Sequence, residues 1–171
     1  PVIDLEAQQN LLGHVEYLSG FARKIAETPV PSGLHDTFVA PQVWEIDHLS
    51  RLKGEVFGPI LHLVRFEAKN LLNVIGQINE TGFGLTFGLH SRLEQRMKDI
   101  PSALEAGNIY INRSMIGAVV GVQPFGGRGL SGTGPKAGGP YYLHRFATEQ
   151  SVSNNVMASG GNVDLISMDL E

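Results

Sequence analysis

The 171-residue sequence has no cysteine, and this absence excludes several kinds of chemistry from the chain's own residues. Disulfides, thiolate metal sites and a cysteine nucleophile all need that side chain. Long hydrophobic runs are also missing, since no apolar stretch reaches the roughly 18 residues that a membrane-spanning helix needs. Residues 1–10 carry neither the basic nor the apolar segment of a secretory signal. We therefore expect a cytoplasmic protein with no membrane partner.

Positive charge is scarce as well. Lys and Arg number 13 against 17 Asp and Glu, so the formal net charge is −4 and there is no basic field to attract nucleic acid. The six histidines lack the close paired spacing of zinc sites, and we expect them to be surface or core residues. Hydrophobic residues make up 42% of the chain, which is enough for a buried core.

The spacing of apolar residues predicts helices alternating with strands, which is typical of an α/β fold with a mostly parallel sheet and helices on both faces. Pro41 favours an edge strand, since proline cannot donate a ladder hydrogen bond. Ser91-x-x-Glu94 predicts a capping box at a helix start. The predicted elements are a helix with Leu11, Val15, Leu18, Ala22 and Ile25 on one face, strands at Thr37–Trp44, Ile60–Phe66, Leu85–Leu89 and Asn108–Asn112, and helices marked by Leu71, Ile75 and Ile78 and by Leu93, Met97, Ile100 and Leu104.

Glycine is concentrated after the last predicted strand, with nine of the 21 glycines in the segment Gly117–Gly139. Ligands of open parallel sheets bind beyond the carboxyl ends of the strands, and a glycine-rich backbone can bring its amides close to an anion. A plain surface loop is the alternative. Gly127-x-Gly129-x-x-Gly132 matches the dinucleotide-binding fingerprint, but no strand leads into it, and Pro135 and Pro140 would interrupt the helix that must follow.

Other reactive side chains in this segment have simpler interpretations. Ser114 and Ser131 lie outside a Gly-x-Ser-x-Gly sequence, and no nearby histidine or acid completes a triad. Lys136 is most simply a solvated charge or a cap on backbone carbonyls.

Three motifs in order resemble the C-terminal part of the aldehyde dehydrogenase family: Glu55-Val-Phe57-Gly-Pro59, the stretch Asn79–Thr86, and Gln123-Pro-Phe125-Gly-Gly. More narrowly, Gly107–Pro140 resembles the glutamate-semialdehyde (1-pyrroline-5-carboxylate) dehydrogenase domain of the bifunctional proline utilization A family. The resemblance covers essentially the whole chain. It implies that residues 1–146 are the C-terminal part of a catalytic domain. Residues 147–171 would then be an oligomerisation β-flap and tail, with a frayed terminus as the alternative.

The resemblance also implies roles for particular residues. Glu55 matches the glutamate that binds the nicotinamide ribose hydroxyls of NAD, and Phe57 matches the aromatic residue beside the nicotinamide. Gly117 and Ala118 match the backbone that anchors the carboxylate of the semialdehyde, and Phe125 matches an aromatic wall around the aldehyde chain. From residue types alone, Glu55 could instead be a solvated carboxylate and the two phenylalanines core residues.

The family's reaction uses a cysteine thiolate, which this chain does not contain. The resemblance places that cysteine, the general-base glutamate, the oxyanion-hole asparagine and the adenine-binding region upstream of Pro1. We therefore expect an inactive C-terminal fragment of an NAD-dependent enzyme that oxidises L-glutamate γ-semialdehyde to L-glutamate. Its expected partners are the rest of the polypeptide, further copies and a small aldehyde bearing a carboxylate; FAD would belong only to a separate proline dehydrogenase domain. A non-catalytic oligomerisation or regulatory module and another aldehyde specificity are the alternatives.

Overall fold

The computed structural model describes residues 1–31, 33–34, 37–119 and 121–155. Within these ranges, each α-helix is followed by two or three short strands. No helix of the described residues is long and apolar enough to cross a membrane. The elements are α1 (Leu5–Ser19), β1 (Arg23–Glu27), β2 (Gln42–Ile46), β3 (Ile60–Val64), α2 (Leu71–Glu80), β4 (Phe83–Gly84), β5 (Thr86–Leu89), α3 (Glu94–Ala103), β6 (Asn108–Ile111) and β7 (Arg128–Gly129).

The first half of the chain is a three-stranded sheet, in the order β1-β2-β3, with α1 packed on it. Strand β2 pairs antiparallel with β1 and parallel with β3. Alternate residues of β2 are buried, as the two-residue period of a strand requires. The buried core of this half consists of Leu11, Leu18, Trp44, Ile46 and Ile60.

The first helix is shorter than the apolar spacing predicts. Helix α1 begins after Asp4, whose carboxylate accepts a hydrogen bond from the Ala7 amide at 2.7 Å, and it ends at Ser19. Ala22 and Ile25 follow the helix, and Ile25 belongs to β1. The prediction was wrong here because alternate apolar residues of a strand can continue a helical spacing over a few positions.

The strand predicted over Thr37–Trp44 is β2, but it is the central strand of its sheet and not an edge strand. Pro41 lies just before β2, so its missing N–H removes no ladder hydrogen bond. Its carbonyl accepts a hydrogen bond from the Thr28 amide at 2.9 Å. The position of the proline relative to the strand boundary therefore made the edge prediction wrong.

The second half of the chain packs α2 and α3 against the parallel pair β5–β6. Its core is formed by Ile75 of α2 together with Ile100 and Leu104. The predicted strand Leu85–Leu89 corresponds to β5, and the preceding β4 pairs antiparallel with β7 in the glycine-rich segment. That segment is therefore folded back onto the second half of the chain.

The predicted capping box at Ser91 and Glu94 is wrong. Helix α3 begins at Glu94, and the residue before it, Leu93, makes no side-chain cap. The Ser91 hydroxyl accepts from the Leu93 amide at 3.1 Å, which closes a turn ahead of the helix. Ser91 and Glu94 have the spacing of a capping box, but Leu93 and not Ser91 is the residue that precedes helix α3.

The described strands form three small sheets, and only β2–β3 and β5–β6 are parallel pairs among them. Helices and strands are thus mixed along the chain, whereas one mostly parallel sheet is not seen in the part of the chain that the structure describes. Residues 147–155 contain no helix or strand. The remaining part of the predicted flap, from residue 156 onward, lies outside the described residues.

Candidate cofactor and substrate site

A groove of about 540 Å³ separates α1 from the loop 53–57. The helix wall presents residues spaced three and four apart, which therefore share one helical face. The loop wall contains Glu55 and Phe57, so the structure brings together both residues that the sequence predicts for the cofactor. The residues of the helix wall are Ala7, Asn10, Leu11, His14 and Tyr17.

Both predicted cofactor residues are open to a ligand. The Phe57 side chain is 80% exposed, so it is not a core ring in this chain. Among the described residues, Glu55 has no hydrogen-bond or ion-pair partner. The nearby Lys53 ammonium instead lies 4.9 Å from the centre of the Tyr17 ring, as a cation–π contact. The Glu55 carboxylate is therefore free to accept two hydrogen bonds.

Gly58 allows the loop that carries Glu55 and Phe57 to approach α1. A Cβ atom at this position would lie 2.5 Å from both terminal methyl carbons of Leu11. The following Pro59 carbonyl accepts from the Gln42 amide at 2.9 Å, which joins the end of the loop to the start of β2. Close packing at Gly58 and this hydrogen bond together set the width of the groove.

His14 of the groove forms a pair with His62, a contact that the sequence did not predict. The Nε2 atoms of His14 on α1 and His62 on β3 are 2.9 Å apart. Burial lowers the pKa of His14, and burial together with the charge of His14 lowers the pKa of His62. His14 shares the helical face of Leu11 and Leu18, a signal that could have placed it inward.

The predicted substrate backbone lies beyond β6, in the glycine-rich segment. Gly117 has φ +74°, a left-handed conformation that favours glycine, and its carbonyl accepts from the Tyr110 hydroxyl at 3.1 Å. Ala118 is half-buried. Beyond it, the Val119 amide donates to Gln123 Oε1 at 3.2 Å, and the Gln123 amide donates back to the Val119 carbonyl at 2.8 Å. The segment predicted to bind the substrate is thus held by hydrogen bonds at Gly117 and between Val119 and Gln123.

Phe125 is half-buried and lies in a short antiparallel bridge to Ala137. Its amide donates to the Ala137 carbonyl at 3.0 Å, and its carbonyl accepts from the Ala137 amide at 2.9 Å. The backbone of Phe125 is therefore held in place, although its ring keeps some exposure.

The structure places the predicted residues in two groups. Glu55 and Phe57 line the groove of the first half, whereas Gly117, Ala118 and Phe125 do not line it. The latter three belong to the segment that folds onto the second half. Within the described residues, the two groups do not line a common pocket.

Ser131 and Lys136, two other candidates of the glycine-rich segment, form hydrogen bonds with backbone groups. The Ser131 hydroxyl accepts from the Gly84 amide at 3.0 Å, and the Lys136 ammonium donates to the carbonyl of Gly107, as expected for a cap. A Cβ atom on Gly132 would lie 2.1 Å from the Gly127 carbonyl oxygen, so the fingerprint-like motif is a tight turn. No α-helix follows that turn in the part that the structure describes, nor does any group of three or more His, Asp or Glu there suit a metal ion.

The sequence matches the aldehyde dehydrogenase family over residues 1–152. The chain belongs to the aldehyde dehydrogenase family. It is 52% identical over 153 residues to bifunctional protein PutA of Rhizobium meliloti, covering 89% of this chain and 12% of that protein. It is 34% identical over 157 residues to the 1-pyrroline-5-carboxylate dehydrogenase of Geobacillus sp. strain WCH70, covering 90% of this chain and 30% of that protein.

Solved structures of aldehyde dehydrogenase family members show the same fold. A variant of Bradyrhizobium japonicum Proline Utilization A is 55% identical with a TM-score of 0.82, covering 89% of this chain and 15% of that one. The 1-pyrroline-5-carboxylate dehydrogenase from Thermus with bound NAD is 32% identical with a TM-score of 0.76, covering 85% of this chain and 28% of that one. The chain thus spans less than a third of the length of each of these relatives. The resemblance to the family and to its proline utilization A members is confirmed.

Proposed function

We propose that this chain is the C-terminal part of an NAD-dependent dehydrogenase that oxidises L-glutamate γ-semialdehyde to L-glutamate in proline catabolism. The observation that carries the proposal is the open pair Glu55 and Phe57 on the groove of a chain that is 52% identical to a PutA protein. The 1-pyrroline-5-carboxylate dehydrogenases among its relatives support the choice of substrate. The rest of the polypeptide, and further copies of it, would complete the enzyme.

The groove has the chemistry that a nicotinamide riboside needs. A carboxylate without an internal partner, as at Glu55, can accept hydrogen bonds from two ribose hydroxyls, and such charge-assisted bonds are about twice as strong as neutral ones. The exposed Phe57 ring offers a flat apolar surface to the nicotinamide. When bound, NAD supplies the hydride acceptor of the reaction. The role of Glu55 and Phe57 is to hold the nicotinamide end in one orientation.

The substrate end of the site would be formed by the turn at Gly117 and Ala118. Main-chain N–H groups can bind a carboxylate without a formal positive charge, and glycine lets them approach closely. The ring of Phe125 would line the aldehyde chain and exclude water from it. An acidic tail on the aldehyde thus suits this segment better than an uncharged tail.

The nucleophile must come from outside these residues, because the chain has no cysteine. We therefore expect the purified 171-residue chain to oxidise no aldehyde, while the full-length polypeptide oxidises the semialdehyde with NAD. Turnover by the isolated chain above the rate without protein would contradict this division. A full-length protein with no turnover would favour a non-catalytic oligomerisation or regulatory module.

The deciding experiment is Glu55→Gln in the full-length polypeptide. The amide keeps the size of the side chain and loses the charge, so we expect the KM for NAD to rise about tenfold and kcat to fall, with an unchanged KM for the semialdehyde. Glu16→Gln is the matched control, since Glu16 is an exposed residue of α1 that does not line the groove. If Glu55→Gln and the control had the same kinetics, Glu55 would not be a cofactor-binding residue.

A further inference from the structure

The backbone on both sides of Phe125 is held by one buried side chain. Asn108, the first residue of β6, is 8% exposed. Its Nδ2 donates to the Pro124 carbonyl at 3.1 Å, and its Oδ1 accepts from the Gly126 amide at 3.2 Å. A single amide group therefore binds the residues immediately before and after Phe125. No other residue type of similar size offers a donor and an acceptor in this arrangement.

Lys136 also binds the Asn108 side chain. Its ammonium group donates to the Gly107 carbonyl and, at 3.2 Å, to the same Oδ1 atom of Asn108. The next residue, Ala137, forms the two backbone hydrogen bonds with Phe125. The Lys136 ammonium thus joins the segment that pairs with Phe125 to the start of β6. We call Asn108 and Lys136, with these contacts, the amide–ammonium clamp.

The contacts of the clamp hold the loop 124–126 and also determine which way the Asn108 amide faces. An ammonium can only donate, so its contact requires that the atom facing it be Oδ1, which leaves Nδ2 for the Pro124 carbonyl. Lys136 is half-buried, and a hydrogen bond between charged and neutral groups is stronger there than in water. Loss of the cation would leave Oδ1 with the Gly126 amide alone and would weaken the hold of Asn108 on the backbone beside Phe125.

We propose that Asn108 and Lys136 are positioning residues that set the Phe125 ring against the aldehyde chain and thereby determine the affinity for the semialdehyde. The inference rests on the proposed function, since it gives Phe125 a substrate to contact. Neither residue of the clamp touches the reacting atoms. Both act through the backbone of Phe125, which carries four hydrogen bonds to Asn108 and Ala137 at its own and its neighbouring peptide groups.

The test is made in the full-length enzyme with Lys136→Met, Lys136→Arg, Asn108→Ala and the double variant Asn108→Ala/Lys136→Met. We expect Lys136→Met to raise the KM for the semialdehyde about tenfold, with kcat within about threefold and an unchanged KM for NAD. Lys136→Arg keeps a cation with several donors and is expected to retain most of the affinity. The double variant should be less impaired than the sum of the two single variants, because Asn108→Ala already removes the contact between Lys136 and Asn108 Oδ1.

The matched control is Lys98→Met, which removes an exposed lysine from α3 whose partner is Glu94. A role limited to folding would lower the amount of active enzyme, and therefore the apparent kcat, without changing KM. An unchanged KM in Lys136→Met would overturn the positioning role, as would strictly additive effects in the double variant.

Hydrogen exchange of the peptide covering residues 123–127 supplies a readout that needs no substrate. We expect faster exchange in Lys136→Met than in Lys98→Met, and equal exchange would overturn the clamp. If the wild-type enzyme does not oxidise the semialdehyde, the proposed function fails and the inference fails with it. If it does oxidise the semialdehyde and the variants behave as wild type, only the inference fails.

Discussion

The imidazole rings of His14 and His62 share a hydrogen bond, with their Nε2 atoms 2.9 Å apart and their planes at 83°. One ring must donate and the other accept, so the pair requires at least one neutral acceptor nitrogen. The contact joins α1 to β3, and His14 also lines the groove that contains Glu55. Two positive charges at this distance would repel each other and break the bond.

The histidine pair predicts a loss of stability in mild acid. Burial lowers the pKa of His14, and burial followed by the charge of His14 lowers the pKa of His62, so the unfolded chain binds protons more readily than the folded one. The stabilisation is complete above the ordinary histidine pKa of 6.5 and is lost as the pH falls below it. Tyr17, Lys53 and Glu55 line the same groove as His14, and among the described residues no hydrogen bond joins any of them to it.

The measurement is the thermal unfolding midpoint at pH 8 and at pH 5.5. His62→Gln supplies an amide that can hydrogen-bond and removes the titration of His62. The difference between the two midpoints should therefore shrink. His90→Gln, at an exposed position, is the control and should keep the full difference. An equal acid loss in all three proteins would contradict the prediction.

Tyr110→Phe removes the hydroxyl that holds the turn at Gly117. Tyr110 is 5% exposed, and its hydroxyl donates to the Gly117 carbonyl at 3.1 Å. We expect a loss of about 1 kcal/mol in the free energy of unfolding by urea, and faster hydrogen exchange across residues 116–119. Tyr141→Phe, on a ring that is 70% exposed, is the control and should change neither quantity. Protected exchange in Tyr110→Phe would mean that the turn is held without this bond.

Gly107→Ala should be strongly destabilising. A Cβ atom there would lie 1.9 Å from the Gly126 carbonyl oxygen, a backbone atom that cannot turn aside. We expect a loss of about 3 kcal/mol or more in the free energy of unfolding. Gly76→Ala on α2, where a Cβ atom meets nothing within 4 Å, should instead stabilise by about 0.5 to 1 kcal/mol. Similar effects of the two substitutions would contradict the close packing of Gly126 on Gly107.

Ala118→Val tests the carboxylate anchor in the full-length enzyme. A larger side chain beside the turn should hinder the semialdehyde carboxylate, so its KM should rise about tenfold while that of propanal changes little. Ala118→Gly is the control, because it removes volume and should leave both KM values close to wild type. Equal increases for the two aldehydes would argue that the turn does not bind the carboxylate.

Several elements were predictable because their determinants are local. The helix at Leu71, Ile75 and Ile78 is α2, and the strand predicted at Asn108 is β6. Family membership also followed from motifs that are contiguous in the chain, such as Glu55–Pro59. The ends of elements were less predictable. Whether the first helix ends at Ser19 or continues through Ile25 depends on the pairing of β1 with β2, which is a contact between residues far apart in the chain.

The sequence alone determined the absence of a thiol nucleophile and the family, because these depend on side-chain chemistry and on contiguous motifs. It also predicted the residues that would bind a cofactor or an acidic aldehyde. The tertiary structure alone decided that β2 is a central strand, that His14 meets His62, and that Asn108 and Lys136 converge beside Phe125. Each of these is a contact between residues 28 or more positions apart or a strand order, and local spacing carries no information about either.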